Sequence, residues 1–321
     1  MKQAAFIASR QARWDHYQAL LKALRSRDRH ARPDDFPGQY RSLCNDLALA
    51  QSRGYSLSLV ARLEQWVMEG HQFLYQPRGN LGSEIVDFVR QGFPVLVREE
   101  WRLVLVCSLL LFGPMLWLLW HIGTSPEFVY RVLSPDMVEQ YDQMYGGEER
   151  RVRSAEDDVF MFAFYIMNNI GVALRTFAGG LVFGLGSFLI LLFNGVQIGA
   201  VAAHLSFAGH HENFWTFVIG HGAFELPAIA LAGVAGSRMG LSLLLPGRLR
   251  RIEALRLSAR RAVRLLYGVM LMLLLAAGLE AFWSASAVAP MLKYIIGAVL
   301  WLLMFSYFLL AGRNRGGKRA D

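Results

Sequence analysis

The segment from Gly220 to Pro227 contains the densest group of polar residues inside an apolar part of the chain, and it includes His221 and Glu225. These two residues are four positions apart, so a helix places both side chains on one face. Imidazole and carboxylate groups can hydrogen-bond to each other, carry protons or bind metal ions. Pro227 loosens the preceding turn because it lacks a backbone donor. Polar residues at membrane depth are energetically costly, so they are usually paired with another polar group or serve a function. This segment is therefore the first candidate site.

Three functions are open for the His221–Glu225 pair. It can be a buried hydrogen bond that ties helices together, a relay that loads and releases a proton or cation, or part of a zinc hydrolase site. Catalytic zinc usually has three protein ligands, and the zincin helix with two His and an internal Glu is absent. The sequence therefore predicts no metal ion and no cofactor. Glu280 either joins the pair or is an interface carboxylate beside Trp283.

Amides and glycines mark other positions where helices can meet inside a membrane. Four amides lie in apolar segments and are expected to bond between helices: Asn168, Asn169, Asn194 and Gln197. The three asparagines join His221, Glu225 and Glu280 as the six candidate residues of an intramembrane polar site. Two pairs of glycines have the small-xxx-small spacing that allows close helix packing: Gly180 with Gly184, and Gly195 with Gly199. No Lys follows this glycine-rich stretch, so it is not a phosphate loop. Close packing is the expected role, and a broken helix lining a cavity is the alternative.

The composition indicates a membrane protein. Of the 321 residues, 54% are hydrophobic and 18% are charged, whereas soluble domains carry about 25% charged residues. Much of the chain therefore cannot face water, although the formal net charge is +8. Two cysteines cannot make a disulfide framework. The first 25 residues have no apolar core or cleavage site, so no signal peptide is expected there.

Apolar segments of membrane-spanning length begin at Leu103 and predict about six crossings. Twenty uncharged residues at 103–122 form the first. Four more are predicted at about 177–193, 214–236, 262–279 and 290–311. Two regions stay ambiguous: either 159–174 crosses and 177–208 is one broken span, or 159–174 lies in the interface and 177–208 is a hairpin. Both chain ends are expected on the same side, so the number of crossings is even, and we predict six.

Arginine is distributed asymmetrically. The stretch 237–264 has eight arginines, whereas the turns 204–213 and 280–289 have neither Lys nor Arg. The positive-inside rule places both chain ends and 237–264 in the cytoplasm, and the turns outside. Five arginines are expected to bind anionic lipid headgroups or, alternatively, a cytoplasmic protein: Arg248, Arg250, Arg251, Arg260 and Arg261. They have no interleaved aromatic residues, so no nucleic-acid binding is predicted.

Residues 1–100 have the character of a soluble domain. Apolar residues recur at helical spacing over about 6–24, 40–53 and 56–75, which predicts a small helical bundle. The aromatic stretch from Phe88 to Trp101 is flanked by arginines and suits a helix in the membrane interface. The fold class is therefore all-α, with a cytoplasmic helical domain at 1–100 and a transmembrane domain at 101–321.

Several strings resemble the stage II sporulation protein M family. They are Asn168-Asn169, the run from Phe177 to Gly186, the run from Asn194 to Gly199, the run from His221 to Ile229, and Glu280-Ala281-Phe282-Trp283. Tyr40-Arg41, Asp46-Leu47-Ala48 and Arg53 resemble the longer members found outside spore formers. The resemblance implies a polytopic, non-enzymatic membrane component, which in spore formers holds peptidoglycan-degrading partners. For the longer members it implies a MoxR-type AAA+ ATPase as a companion.

Together these patterns predict a multi-pass protein of the bacterial inner membrane with both termini in the cytoplasm. Its expected function is that of a non-enzymatic scaffold or assembly component in cell-envelope maintenance. The alternatives are an ion or small-solute channel or transporter that uses the polar site, and an intramembrane metal-dependent hydrolase. Expected partners are membrane lipids, envelope proteins and the MoxR-type ATPase, and the glycine faces favour a homo-oligomer.

Overall fold

A computed structural model describes residues 2–25, 36–75, 81–147 and 155–313. In these ranges the chain forms α-helices joined by short π and 3₁₀ turns and contains no strand, which confirms the all-α prediction. The chain divides into two compact units, Met1–Leu81 and Gly82–Asp321. The sequence pattern places this division later, near residue 100.

The N-terminal unit contains three helices, α1 (Gln3–Arg25), α2 (Phe36–Ser52) and α3 (Leu57–Tyr75). Their apolar faces meet in one aromatic-rich core, whose buried aromatic members are Phe6, Trp14, Tyr17, Phe36 and Trp66. Gly54 follows α2 with a φ of 62°, a left-handed conformation that ends a helix at little cost for glycine. Burial raises the pKa of the Tyr17 hydroxyl above its ordinary value.

One carboxylate lies inside this core. Asp46 is 1% exposed, and three donors surround it. Arg10 Nη1 lies 2.6 Å from Oδ1, Arg13 Nη2 lies 3.0 Å from Oδ2, and the Trp14 indole nitrogen lies 3.0 Å from Oδ2. A buried charge is stable when it is paired and its lone pairs are satisfied, and Asp46 meets both conditions.

The second unit starts with a helical segment that packs on the membrane-type helices. It comprises α4 (Leu81–Asp87), a π turn (Phe88–Gly92) and α5 (Phe93–Glu99). Phe93 lies against Gly268 and against the Phe308 ring, with ring centroids 5.8 Å apart. Arg98 donates to the carbonyls of Phe308 and Ala311 at 2.7 and 2.6 Å. These contacts explain why residues 82–100 group with the second unit.

Within the residues that the structure describes, six helices are long and apolar enough to cross a membrane, which confirms the predicted number. The first is α6 (Trp101–Thr124). A 3₁₀ turn (Pro126–Arg131) and the short α7 (Pro135–Tyr145) follow it. The others are α8 (Ala155–Gly179), α9 (Leu185–Phe207), α10 (His211–Leu244), α11 (Arg251–Gly278), which continues into a π turn (Leu279–Ser284), and α12 (Pro290–Leu310). The fold is that of a multi-pass helical membrane protein.

The ambiguous stretch is resolved by a turn between α8 and α9. Residues 159–174 lie within a full-length span, so the alternative in which they cross the membrane is the one the structure shows. The predicted start of the next span near 177 is wrong, because residues 177–179 still belong to α8. Phe183 has a φ of 52° and Gly184 a φ of 84°. A right-handed helix cannot continue through left-handed residues, so the chain turns there and α9 starts at Leu185.

Helix α10 is the central helix of the second unit. In the most apolar 18 residues of α10, 61% are buried, whereas the corresponding share is 17% in α6 and in α12. The outer helices instead expose many large apolar side chains, such as Leu109, Trp117, Leu189 and Leu302. Such surfaces suit lipid contact, because lipid tails are as apolar as the side chains that face them.

The segment between α6 and α8 is fastened to the ends of α9 and α10. Asp142 Oδ1 lies 2.7 Å from His204 Nε2 and 3.5 Å from His210 Nε2. Asn213 Nδ2 donates to the Tyr145 carbonyl at 2.8 Å. These bonds hold α7 over one end of the membrane-type helices, which is called the α7 side below.

Candidate functional site

His221 and Glu225 lie one turn apart on α10. His221 Nε2 is 3.8 Å from Glu225 Oε2, and the two side chains are 6% and 20% exposed. Glu225 is about 20 Å along the helix axis from His211, at a rise of 1.5 Å per residue, which is close to the middle of α10. Pro227 follows within the helix and leaves the Ala223 carbonyl without its usual backbone donor.

Glu280 joins this pair because α11 ends in a π turn. The ligand atoms of His221, Glu225 and Glu280 all lie within 4.8 Å of one another. Residues four or five apart share a face in a turn with i→i+5 bonds, and Ser284, four residues after Glu280, also faces α10. The Ser284 hydroxyl lies 3.0 Å from His221 Nδ1. We call His221, Glu225 and Glu280 the His–Glu–Glu cluster.

Helix α8 contributes two of the three candidate amides. Asn169 is 2% exposed, and its Nδ2 donates to Glu280 Oε2 at 3.4 Å. Asn168 Nδ2 donates to Asn169 Oδ1 at 3.1 Å. Asn194 lies apart from the cluster, because its Nδ2 donates to the Ile190 carbonyl of its own helix at 2.7 Å. The structure therefore brings together five of the six candidate polar residues.

Aromatic side chains connect the cluster to the α7 side. The Phe217 ring lies edge-on to the His221 imidazole, with centroids 5.4 Å apart, and the Tyr145 ring lies 6.3 Å from Phe217. Burial, followed by the negative charge of Glu280, raises the pKa of Tyr145 above its ordinary value. Tyr145 lies at the end of α7, and it is close enough to Glu280 for the carboxylate charge to affect its pKa.

Two polar residues of this region, Lys293 and Ser284, were not predicted from the sequence. Lys293 is fully buried, and its Nζ donates to the carbonyls of Ser284 and Ser286 at 2.6 and 2.8 Å. A lone charge inside the predicted span 290–311 was the available signal, because intramembrane charges are expensive. Ser284 was also recognisable, since it follows Glu280 at the same i, i+4 spacing as Glu225 follows His221.

The cluster places one imidazole and two carboxylates within reach of a single small cation. Their facing atoms are nitrogen and oxygen atoms that can supply electron pairs. Such a set can share protons or bind a metal ion, and it can also cross-link α10 to the π turn after α11. The bonds from Ser284 and Asn169 fix the orientation of two of the three groups.

The four candidate glycines lie where backbones touch. A Cβ atom at Gly180 would collide with Gly236, and one at Gly184 would lie 3.3 Å from the Ser237 carbonyl oxygen. Gly195 faces the Leu111 carbonyl, and a Cβ at Gly199 would lie 2.6 Å from Met115 Cα. The first pair belongs to the turn between α8 and α9, and the second pair packs α9 against α6.

The arginine-rich segment lies at the opposite end from the α7 side. All five arginines chosen from the sequence are exposed: Arg248, Arg250, Arg251, Arg260 and Arg261. Arg261 also lines a cleft of about 820 Å³ together with Arg102, Arg238, Glu99 and Glu100. Arg238 Nε lies 3.0 Å from Glu100 Oε1, and Arg261 Nη1 lies 3.7 Å from the same oxygen.

The fold and the buried polar cluster define a multi-pass helical membrane protein. Residues 106–285 match the family described as Stage II sporulation protein M, which is just over half of the 321-residue chain. The chain belongs to this family. The match includes five spans and the whole cluster, which confirms the resemblance seen in the sequence.

Two further comparisons cover smaller parts of the chain. Residues 4–76 match a domain of unknown function, DUF8413. The chain is similar to the uncharacterized protein MJ0793 of Methanocaldococcus jannaschii, with 32% identity over 81 residues that make up 25% of this chain and 46% of that protein. The matched part therefore spans about half the length of that relative. No solved structure matches the chain.

Proposed function

We propose that the chain is a non-enzymatic scaffold or assembly component of the bacterial inner membrane that serves cell-envelope maintenance. The observation that carries this proposal is the way α10 is held. One half of the helix touches neighbouring backbone at Gly236 and Gly240. The other half is linked by polar side chains to the π turn that follows α11. A central helix fixed at both halves suits a rigid platform.

The proposed orientation follows the charges. The exposed arginines between Arg248 and Arg261 lie at the end opposite α7, and the positive-inside rule favours the cytoplasm for them. With six spans, both termini then lie in the cytoplasm and α7 faces the envelope. The acidic excess of 123–158, nine acidic residues against four arginines, is compatible with that side.

Lipids are the first proposed partners. The cleft that includes Arg102, Arg238 and Arg261 has the size and charge to hold an anionic headgroup, and each Lys or Arg near a membrane surface contributes about 1 kcal/mol to such attraction. Glu99 and Glu100 offset part of that charge. Two separate regions, the N-terminal unit and the exposed arginines between Arg248 and Arg261 of the second unit, are each proposed to bind a MoxR-type AAA+ ATPase, which family resemblance supports. Homo-oligomerisation remains part of the proposal.

A second candidate function, cation or small-solute transport, is favoured by the convergence of the His–Glu–Glu cluster. Three ionisable groups at membrane depth are a usual feature of ion pathways. Transport would require α10 to change its packing, which the backbone contacts at Gly236 and Gly240 oppose.

Flux measurements separate these two functions. The full-length protein is reconstituted in liposomes, and proton, sodium, potassium and zinc fluxes are recorded for the wild type, His221→Ala and Glu225→Gln. The scaffold proposal predicts no flux above protein-free liposomes. A flux that both substitutions abolish would replace the scaffold with a transporter.

A further experiment addresses the scaffold directly. The chain is co-expressed with a MoxR-type AAA+ ATPase and extracted in mild detergent, and the size of the complex is measured by native electrophoresis. We expect one larger species that is lost when Arg248, Arg250 and Arg251 are changed to Glu and kept when they are changed to Lys. If the chain migrates alone in every case, this partner is excluded.

A further inference from the structure

The orientation of His221 is the first sign that the cluster has a ligand. His221 Nδ1 lies 3.0 Å from the Ser284 hydroxyl. When Nδ1 carries the proton and donates it, Nε2 presents a lone pair toward Glu225 Oε2, 3.8 Å away. An electron pair facing a carboxylate is repulsive unless a proton or a metal ion lies between them.

The positions of the three ligand atoms fit one small metal ion. They lie within 4.8 Å of one another, and ligand atoms bonded tetrahedrally to zinc at about 2.0–2.2 Å are about 3.3–3.6 Å apart. Small side-chain rotations on α10 and the π turn would bring them to that separation. Three protein ligands with a fourth position open is the arrangement of catalytic zinc sites.

Hydrogen bonds around the cluster correspond to those that orient metal ligands. A ligating His usually donates its other ring N–H to an oxygen, and ligating carboxylates are themselves hydrogen-bonded. Ser284 stands in that relation to His221, and Asn169 Nδ2, at 3.4 Å, stands in it to Glu280. Lys293 fixes the backbone at Ser284 and Ser286 and so supports the turn that carries both residues.

The ligand types indicate the class of metal. Imidazole suits zinc, copper, iron and nickel, whereas calcium and magnesium take oxygen ligands in larger number. A divalent ion would also compensate the two carboxylates, which otherwise bear a large desolvation cost at this depth. We propose that His221, Glu225 and Glu280 bind one divalent transition-metal ion of the zinc class. This site is independent of the scaffold function.

Metal analysis of the full-length protein tests the proposal. The protein is purified in detergent, stripped with a chelator, loaded with zinc alone and passed through gel filtration, and zinc is counted by elemental mass spectrometry. We expect about one zinc per chain in the wild type. Removing a group that hydrogen-bonds to a metal ligand typically lowers metal affinity about 10–100-fold. His221→Ala, Glu225→Gln and Glu280→Gln, which change the ligands themselves, should each lower zinc affinity by at least as much.

The matched controls are His204→Ala and His210→Ala, which remove histidines that lie near Asp142 on the α7 side. They should leave the zinc count unchanged. Circular dichroism and elution volume show whether each variant is folded, and Glu280→Gln keeps the shape of the side chain if His221→Ala fails to fold. Absence of bound zinc in the folded wild type, or its loss with His204→Ala but not with Glu280→Gln, would overturn the proposal.

Discussion

Both compact units hold carboxylates away from the surface, fully buried in one and half-buried in the other, but they surround them in different ways. Asp46 in the N-terminal unit receives hydrogen bonds from Arg10, Arg13 and Trp14, all at 3.0 Å or less. In the membrane unit, Glu225 and Glu280 face the imidazole of His221 and each other within 4.8 Å. The first arrangement satisfies a charge with donors. The second gathers groups that accept a cation, which is why only the second is a candidate binding site.

A similar contrast exists within α10. Near Gly236 and Gly240 the helix is packed by direct backbone contact with the turn between α8 and α9. Near His221 it is packed through polar side chains. Helices in lipid gain nothing from the hydrophobic effect between them, so small residues and hydrogen bonds are the two means of association.

The largest effect is expected at Asp46. Asp46→Ala leaves the buried Trp14 N–H without its acceptor and two arginines without their partner, although the Arg10 and Arg13 side chains are 27% and 52% exposed and can reach water. We predict a loss of about 2–4 kcal/mol in the unfolding free energy of the N-terminal unit. Cys44 is a free, half-buried cysteine in α2, so the rate at which it is labelled in the full-length protein measures this loss. Asp15→Ala, which removes an exposed hydrogen bond to Gln11, should change the rate little; equal rates for both variants would refute a structural role for Asp46.

The next effect concerns backbone contact. A Cβ atom at Gly240 would collide with the Gly180 carbonyl, whereas one at Gly113 meets nothing within 4 Å. We predict that Gly240→Ala costs about 1–3 kcal/mol through overpacking and lowers the thermal unfolding midpoint in detergent. Gly113→Ala should keep or slightly raise that midpoint, because alanine favours the helix. If the two variants behave alike, the close packing of α10 is not what stabilises the bundle.

A smaller effect is expected at Asn169, where it shows whether this residue supports zinc binding or only helix packing. Asn169→Ala removes the donor to Glu280 Oε2. It should weaken zinc binding about tenfold, the low end of the range for groups that hydrogen-bond to a metal ligand. Asn194→Ala removes an amide that bonds only within α9 in the hydrogen bonds described, so zinc titrations should give the wild-type affinity. Equal affinities for wild type and Asn169→Ala would leave Asn169 as a packing residue.

The smallest effect appears only in alkaline solution. The pKa of Tyr17 is raised in the folded state, so its contribution to stability is complete below the unfolded value of about 10 and is lost as the pH rises toward the folded value. Labelling of Cys44 should therefore accelerate between about pH 10 and pH 12 in the wild type relative to Tyr17→Phe at the same pH. Parallel profiles would show that Tyr17 ionises equally in both states.

Much of the fold follows from sequence pattern. Helical periodicity and uncharged length predict the three N-terminal helices and six spans, because both patterns reflect which faces meet water. The turn at Phe183 and Gly184 was harder to locate, since glycines inside an apolar run are compatible with a helix or a break. The grouping of residues 82–100 with the membrane unit depends on Phe93 packing against Gly268, a contact between distant parts of the chain.

The site was predicted only in part. The spacing of His221 and Glu225 was sufficient to choose that pair. Glu280 approaches the pair because of a π turn, which has no recognisable sequence signal. The sequence predicted no metal because a third ligand was lacking, and Glu280 supplies that ligand. Lys293 and Ser284 act through contacts between α12, the π turn and α10, which no local pattern reveals.

X-ray absorption at the zinc K-edge of the loaded full-length protein tests the His–Glu–Glu cluster most directly. The predicted first shell contains one imidazole nitrogen and carboxylate oxygens at about 2.0–2.2 Å, and the imidazole signal disappears in His221→Ala. A shell that contains sulfur, or two or more imidazoles, would place the metal at the cysteines or at the histidines of the α7 side and would contradict the assignment.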